Sequence, residues 1–171
     1  MLDLLVFGDM CIDYFYETEK IPKERESSNL LNLKKFFGGM GANTAVAARM
    51  LGLNVGFFSA AGADAYDYTN YLKNLGINLY IKGIFGETTH SIFIKEKNMN
   101  DEKFISFFYK GVTEKVDELY NDVSKSLINN TKCVFMARTY FNLHKKVSSL
   151  AKKLKKFVVY NPGYGIFEMN K

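Results

Sequence analysis

The sequence predicts an α/β protein: a parallel sheet layered with helices, and a small β lid projecting from that sheet. Two observations carry the expectation. Apolar strand-like runs alternate with helical stripes at both ends of the chain, the order that builds a parallel sheet covered on its faces. In the middle, from Ile77 to Tyr109, extended segments follow one another with no helix between them, which reads as a separate meander of strands.

The elements follow in order. Leu2 to Phe7 is a short apolar run closed by Gly8-Asp9, a buried strand feeding a turn. Tyr14–Tyr16 and Asn29–Phe37 are extended candidates on either side of the charged turn at residues 20–24. After Gly38-Gly39-Met40-Gly41-Ala42-Asn43, a helix runs from Thr44 to Leu51 with Arg49 as its one charge and Gly52 as its stop. A helix so small-sided belongs close against a sheet. Asn54–Ala60 is the next buried strand. Tyr68, Tyr71, Leu72 and Leu75 then space as a helix face, with Gly76 as the cap. Asn78–Ile84, Ser91–Lys95 and Lys103–Tyr109 are the lid candidates. Val116, Leu119, Tyr120, Val123 and Leu127 form a helical stripe. Lys132–Ala137 is a strand, the lysine-rich segment after it a helix, and Phe157–Asn161 a last strand. No helix pattern follows that strand, so the C-terminal part of the architecture is read as missing.

Composition narrows the function classes. The chain has 171 residues, 47% of them hydrophobic and 24% charged, which suits a globular domain with a real core. A net charge of +5 is mild and spread out, which argues against nucleic-acid binding. The densest basic stretch, residues 145–156, alternates with Val147, Leu150, Ala151 and Leu154 at helical spacing, the pattern of a solvated helix back. Cys11 and Cys133 match no metal-ligand spacing, and no apolar run reaches the length of a membrane span. The N-terminus lacks the basic region of a signal peptide. The expectation is a cytoplasmic protein with no membrane partner and no metal ligated by these residues.

The glycine-rich stretch is the most informative. Glycines admit positive φ and let a ligand approach the backbone. The helix that follows presents N–H groups to an electron-rich ligand atom, and Asn43 in its first turn offers both a donor and an acceptor. A P-loop is excluded because no Gly-Lys pair occurs in the chain. A dinucleotide fingerprint is excluded because Thr44 stands where its third glycine belongs and the loop lies far from the first strand. What stays open at this point is a ligand loop or a turn that merely lets a helix pack tightly.

The loop does not stand alone. Val6-Phe7-Gly8-Asp9-Met10-Cys11-Ile12-Asp13, then Phe37-Gly38-Gly39-Met40-Gly41-Ala42-Asn43-Thr44-Ala45-Val46-Ala47, resemble the N-terminal motifs of the ribokinase-like (PfkB-type) carbohydrate kinases. Gly62-Ala63-Asp64, Leu75-Gly76-Ile77, Gly86-Glu87-Thr88-Thr89, Tyr109-Lys110-Gly111 and Asn161-Pro162-Gly163 keep the family's order. The stretches 71–75 and 158–163 look most like archaeal-type nucleoside kinases. The resemblance spans the whole chain, 1–171, as the N-terminal portion of one ribokinase-like domain with lid segments near 14–36 and 77–110.

That resemblance implies a Rossmann-type sheet with a β lid, and ATP- and Mg²⁺-dependent phosphoryl transfer to the hydroxymethyl group of a sugar or nucleoside. Asp13 matches the family's acid for substrate hydroxyls; Gly38, Gly39 and Gly41 match its glycine loop, and Asn43 its hydroxyl-binding amide. Ile92, Ser106 and Phe108 fall where lid residues touch substrate, and the lid offers a homodimer surface. Plainer readings stand beside these: Asp13 as a turn cap, Asn43 as a helix cap, the aromatics as lid packing. His90 and His144 receive no role. Met40 and Cys11 stand where sugar-specific members carry polar groups, which favours a nucleoside, while Arg138 keeps a phosphorylated substrate open. No catalytic residue is assigned. The family's Gly-Ala-Gly-Asp base segment and its Asn-x-x-Glu motif do not occur here, so the base is expected beyond Lys171. The competing class is a non-catalytic sugar- or nucleoside-binding or regulatory module; a nicotinamide oxidoreductase is disfavoured by Thr44.

Overall fold

The computed structural model describes residues 1–97, 104–138 and 140–163. In chain order the elements are β1 (Leu2–Phe7), β2 (Cys11–Thr18), β3 (Leu30–Gly38), α1 (Met40–Met50), β4 (Val55–Ala61), α2 (Tyr66–Asn74), β5 (Asn78–Gly83), β6 (Thr89–Glu96), β7 (Ile105–Tyr109), a 3₁₀ segment (Gly111–Asp122), α3 (Lys125–Asn129), β8 (Thr131–Ala137), α4 (Phe141–Lys153) and β9 (Phe157–Asn161). The main sheet has the order β5-β4-β1-β8-β9 and is parallel throughout.

Strands β1 and β4 are buried on both faces, which is why they read as continuous apolar runs, while the edge strands β5 and β9 are largely exposed. Leu5 and Phe7 of β1 face a core built with Val116, Leu119, Ile128, Leu143, Val147 and Ala151. Val6 faces the opposite core, where Ala42, Ala45 and Ala48 of α1 and Tyr68 and Leu72 of α2 pack. The alanines let α1 approach the sheet closely, as its composition predicts. The chain builds outward from β1 in two directions, to β4 and β5 under α1 and α2, then to β8 and β9 under α4. The C-terminal ends of β1 and β8 therefore form a topological switch point, the crevice in which open α/β sheets hold ligands.

Four strands form the second sheet, in the order β3-β2-β6-β7. Three expectations change here. The strand at 78–83 is not part of this sheet: β5 pairs parallel with β4 at the edge of the main sheet. Helix α2 supplies the crossover a parallel pair requires. Nor is the second sheet a plain antiparallel meander, because β2 and β6 run parallel, with antiparallel partners outside them. The stripe from Val116 to Leu127 is not one helix. It is a 3₁₀ segment with Thr113, Val116 and Leu119 buried at every third residue, which suits three residues per turn. It breaks at Val123, and Ser124 then caps α3 by accepting from the Leu127 N–H at 3.1 Å. Strand β9 lies at an edge of the main sheet, with Phe157 69% exposed.

Candidate substrate site

The site begins where β1 ends. Gly39 has φ of +98°, a conformation that turns β3 directly into α1. The helix therefore starts at Met40, earlier than its apolar pattern begins. The glycines here make close contact with the protein's own backbone: a Cβ on Gly39 would lie 2.7 Å from Met10 Cα, and one on Gly41 would lie 2.7 Å from Gly8 Cα. Two of the N–H groups expected to be free at the helix start are also taken. Gly41 N–H donates to Asp9 Oδ1 at 3.2 Å, and Ala42 N–H to the Asp9 carbonyl at 3.0 Å. Asp9 is buried, and its Oδ2 lies 3.6 Å from Arg138 Nη1 at the end of β8. A carboxylate between a helix N-terminus and a guanidinium is compensated on both sides. Tight packing thus accounts for Gly39 and Gly41.

Gly38 is different. A Cβ there would fall 2.2 Å from Asp13 Oδ2, so the missing side chain makes the space in which the Asp13 carboxylate lies. Tyr68 fixes the same point from below, its hydroxyl donating to the Gly38 carbonyl at 2.7 Å and its ring stacked on Phe37 at 4.3 Å. Burial, then the nearby Asp13 and Asp9 carboxylates, push the Tyr68 hydroxyl well above its usual range, so it stays a donor. On the sequence alone Tyr68 was only a helix-face residue. Asp13 is not a turn cap: it sits within β2, with Oδ1 accepting from Cys11 Sγ at 3.2 Å. Asn43 is not a helix cap either. The N-cap is Gly39, without a side-chain bond, and Asn43 is exposed in the first turn of α1.

Strand register sorts the remaining candidates by face. Asp13 stands opposite Ser91, which stands opposite Phe108. Ser106 pairs with Phe93, which pairs with Phe15, and so lies on the same face as Asp13. Ile92 does not: it pairs with Tyr14 and Phe107 on the other face. Of the two adjacent phenylalanines, Phe108 shares the face of Asp13. Farther along that face, Phe15, Phe36, Phe93 and Phe104 line a recess of about 330 Å³ together with Lys34 and Glu17.

His90, given no role by its sequence context, belongs to a network at the root of the small sheet. Its Nε2 lies 2.6 Å from Asp64 Oδ2, while Asp64 Oδ1 accepts from Thr88 N–H at 2.8 Å and Thr88 Oγ1 at 2.7 Å. Burial raises the Asp64 carboxyl, but the bonds from Thr88 and His90 outweigh it and hold the group at about 2. Asp64, Glu87 and His90 form the one group with a metal-like donor set among the described residues. It does not fit the Mg²⁺ of a phosphoryl-transfer site, because both Asp64 oxygens are already engaged, by Thr88 and His90, and His90 lies on the face opposite Asp13.

With this geometry in hand, comparison with known proteins decides the family. The model of the pfkB family of carbohydrate kinases matches residues 1–162. The chain belongs to the pfkB family. A nucleoside kinase of Methanocaldococcus jannaschii is 34% identical over 117 residues, covering 66% of this chain and 37% of that protein. The crystal structure of the M. jannaschii nucleoside kinase, an archaeal member of the ribokinase family, superposes with a TM-score of 0.77 at 28% identity, over 98% of this chain and 55% of that one. A ribokinase of Arabidopsis thaliana, solved with ribose and ATP, gives a TM-score of 0.77 at 20% identity, over 93% and 53%. The pfkB chain described here spans about half the length of the curated relatives it matches. No helix among its described residues is long and apolar enough to cross a membrane.

Proposed function

We propose that this chain forms the substrate-holding half of a phosphotransferase that moves the terminal phosphoryl group of ATP to the hydroxymethyl group of a nucleoside or sugar. The observation that carries the reading is the Asp13 carboxylate lying in the space left by Gly38, with one oxygen bonded to Cys11 and the other beside the glycine backbone. An ionised carboxylate accepts hydrogen bonds from substrate hydroxyls, and the exposed Asn43 amide adds a donor and an acceptor. Phe108, on the same face as Asp13, favours a nucleoside, whose base has a face to stack on. Curated nucleoside kinases among the relatives support the same choice.

In this reading the small sheet acts as a lid that excludes water when substrate binds. ATP, the co-substrate that an Arabidopsis ribokinase structure holds, would supply the phosphoryl group. No described residues form a cradle for its phosphates, since Asp9 occupies the α1 N-terminus. The 171 residues contain no Gly-Ala-Gly-Asp run, so binding without turnover is expected of this chain by itself.

Isothermal titration of the chain with adenosine, inosine and ribose tests the proposal. Asp13→Asn should weaken binding by about 10- to 100-fold, the worth of a hydrogen bond to a charged acceptor. Equal affinity in the variant would overturn the assignment of Asp13. Phosphorylated product from the chain alone, with ATP and Mg²⁺, would overturn the expectation of binding without turnover.

A further inference from the structure

We infer that Cys11 and Ser91 are positioning residues for Asp13, and that a one-way chain of hydrogen bonds, Ser91 to Cys11 to Asp13, sets which carboxylate oxygen faces the substrate. The inference rests on Asp13 as the acid that meets substrate hydroxyls. Cys11 Sγ lies 3.2 Å from Asp13 Oδ1 and 3.2 Å from Ser91 Oγ. Cys11 and Asp13 are two residues apart on β2 and so share a face, and Ser91 stands opposite Asp13 on β6. Three side chains from two strands therefore meet at one point.

Donor and acceptor chemistry gives the chain its direction. Cys11 is 95% buried, at 5% exposure, and burial above all, with the Asp13 and Asp9 charges adding, pushes its thiol up to about 12. The thiol keeps its proton. An ionised carboxylate only accepts, so that proton goes to Asp13 Oδ1. The sulfur is then left as an acceptor, and the Ser91 hydroxyl, free to rotate, donates to it. Oδ1 is thereby occupied on the strand side, and Oδ2 is the oxygen held beside Gly38. Without the thiol donor nothing else among the hydrogen bonds of the described residues fixes the carboxylate.

Three-bond couplings across χ1 of Asp13, measured by NMR on the labelled chain without ligand, test this directly. The wild type and Cys11→Ser, which keeps a donor, should show a single rotamer. Cys11→Val, which keeps the volume and loses the donor, should show averaged couplings; unchanged couplings would overturn the inference. Should Cys11→Val fail to fold, the S–H infrared band of Cys11 in a Cys133→Ser background gives the answer. Asp13→Asn should move that band to higher wavenumber, and a band that stays put would equally overturn the inference. Adenosine affinity should fall about fivefold in Cys11→Val and return in Cys11→Ser, as expected for one modest hydrogen bond acting through a second group. If the couplings behave as stated while Asp13→Asn leaves adenosine binding unaltered, the substrate role of Asp13 fails and the positioning chain stands.

Discussion

Alanine at Gly38 and alanine at Gly39 should separate function from folding, although the two residues are adjacent. At Gly38 the backbone is ordinary and the three atoms nearest the new Cβ belong to one side chain: Asp13 Oδ2 at 2.2 Å, Cγ at 3.0 Å and Oδ1 at 3.5 Å. The end of one side chain can rotate away. That costs the Cys11 hydrogen bond, about 1 kcal/mol, and is offset by about 0.4–1 kcal/mol from the stiffer unfolded chain. Stability should therefore change by no more than about 1 kcal/mol, while the displaced carboxylate lowers adenosine affinity about tenfold or more. At Gly39 the φ of +98° is one L-residues avoid, and the Cβ would meet backbone: Met10 Cα at 2.7 Å, Asp9 O at 2.9 Å and Cys11 N at 2.9 Å. None of the three can yield without moving the β1–β2 turn, so the cost should reach about 3 kcal/mol or more. Urea unfolding and titration calorimetry on both variants decide the matter. A Gly38→Ala protein that binds like wild type, or one as destabilised as Gly39→Ala, would refute the reasoning.

His144 makes stability depend on pH. Burial lowers its imidazole from 6.5 to about 4, with Asp117 opposing weakly, and its Nε2 has no hydrogen-bond partner among the described residues. Between those values the unfolded chain binds a proton that the folded one refuses, so stability should fall by about 2–3 kcal/mol from pH 6.5 to 4 and change little below. Urea midpoints should show that slope, and His144→Phe should flatten it. Tyr68→Phe removes the donor to the Gly38 carbonyl and should cost about 1–2 kcal/mol in the same assay; a neutral substitution would show that the bond fixes nothing. The aromatic face of the small sheet, with Phe36 52% and Phe104 51% exposed, is expected to pair with a second copy of the chain. Sedimentation should show a dimer that Phe36→Asp with Phe104→Asp dissociates, and a wild type that stays monomeric at high concentration would remove the expectation.

How much of this was legible in the sequence depended on how local the cause was. Layered α/β order, the buried β1 and the alanine-rich α1 follow from hydrophobic pattern and side-chain size, and both were readable. Strand partners were not. Nothing within residues 78–83 distinguishes an edge strand of the main sheet from a strand of the small one, because partner choice is decided by where α2 sends the chain. The 3₁₀ segment escaped notice because positions three apart lie on one face in either helix type. At the site, motif order placed Asp13, Gly38 and Asn43 together. It could not say that Asp9 closes the helix N-terminus, since that contact joins residues 32 apart. Ile92 was chosen by position along β6, and a shift of one residue reverses a side chain's face. Tyr68 and His90 carried no signal beyond a helical stripe and a lone histidine.

Charge at the switch point bears on the kind of substrate. A helix N-terminus and an arginine are the two features that would attract a phosphorylated ligand, and the sequence offers both. In the fold a single residue engages both of them. Asp9 Oδ1 accepts from the α1 N-terminus at 3.2 Å, and Oδ2 faces Arg138 Nη1 at 3.6 Å. The guanidinium also lies over the Tyr140 ring at 6.0 Å, and Arg138 holds a φ of +62° at the end of β8. Both positive features thus engage one buried carboxylate. Asp13 is half-buried with Oδ2 beside Gly38, and the uncharged Asn43 is exposed. If Asp13 and Asn43 meet the substrate as proposed, a carboxylate acceptor and an uncharged amide suit hydroxyls, and the carboxylate repels phosphate, so a neutral sugar or nucleoside is expected to bind more tightly than a sugar phosphate.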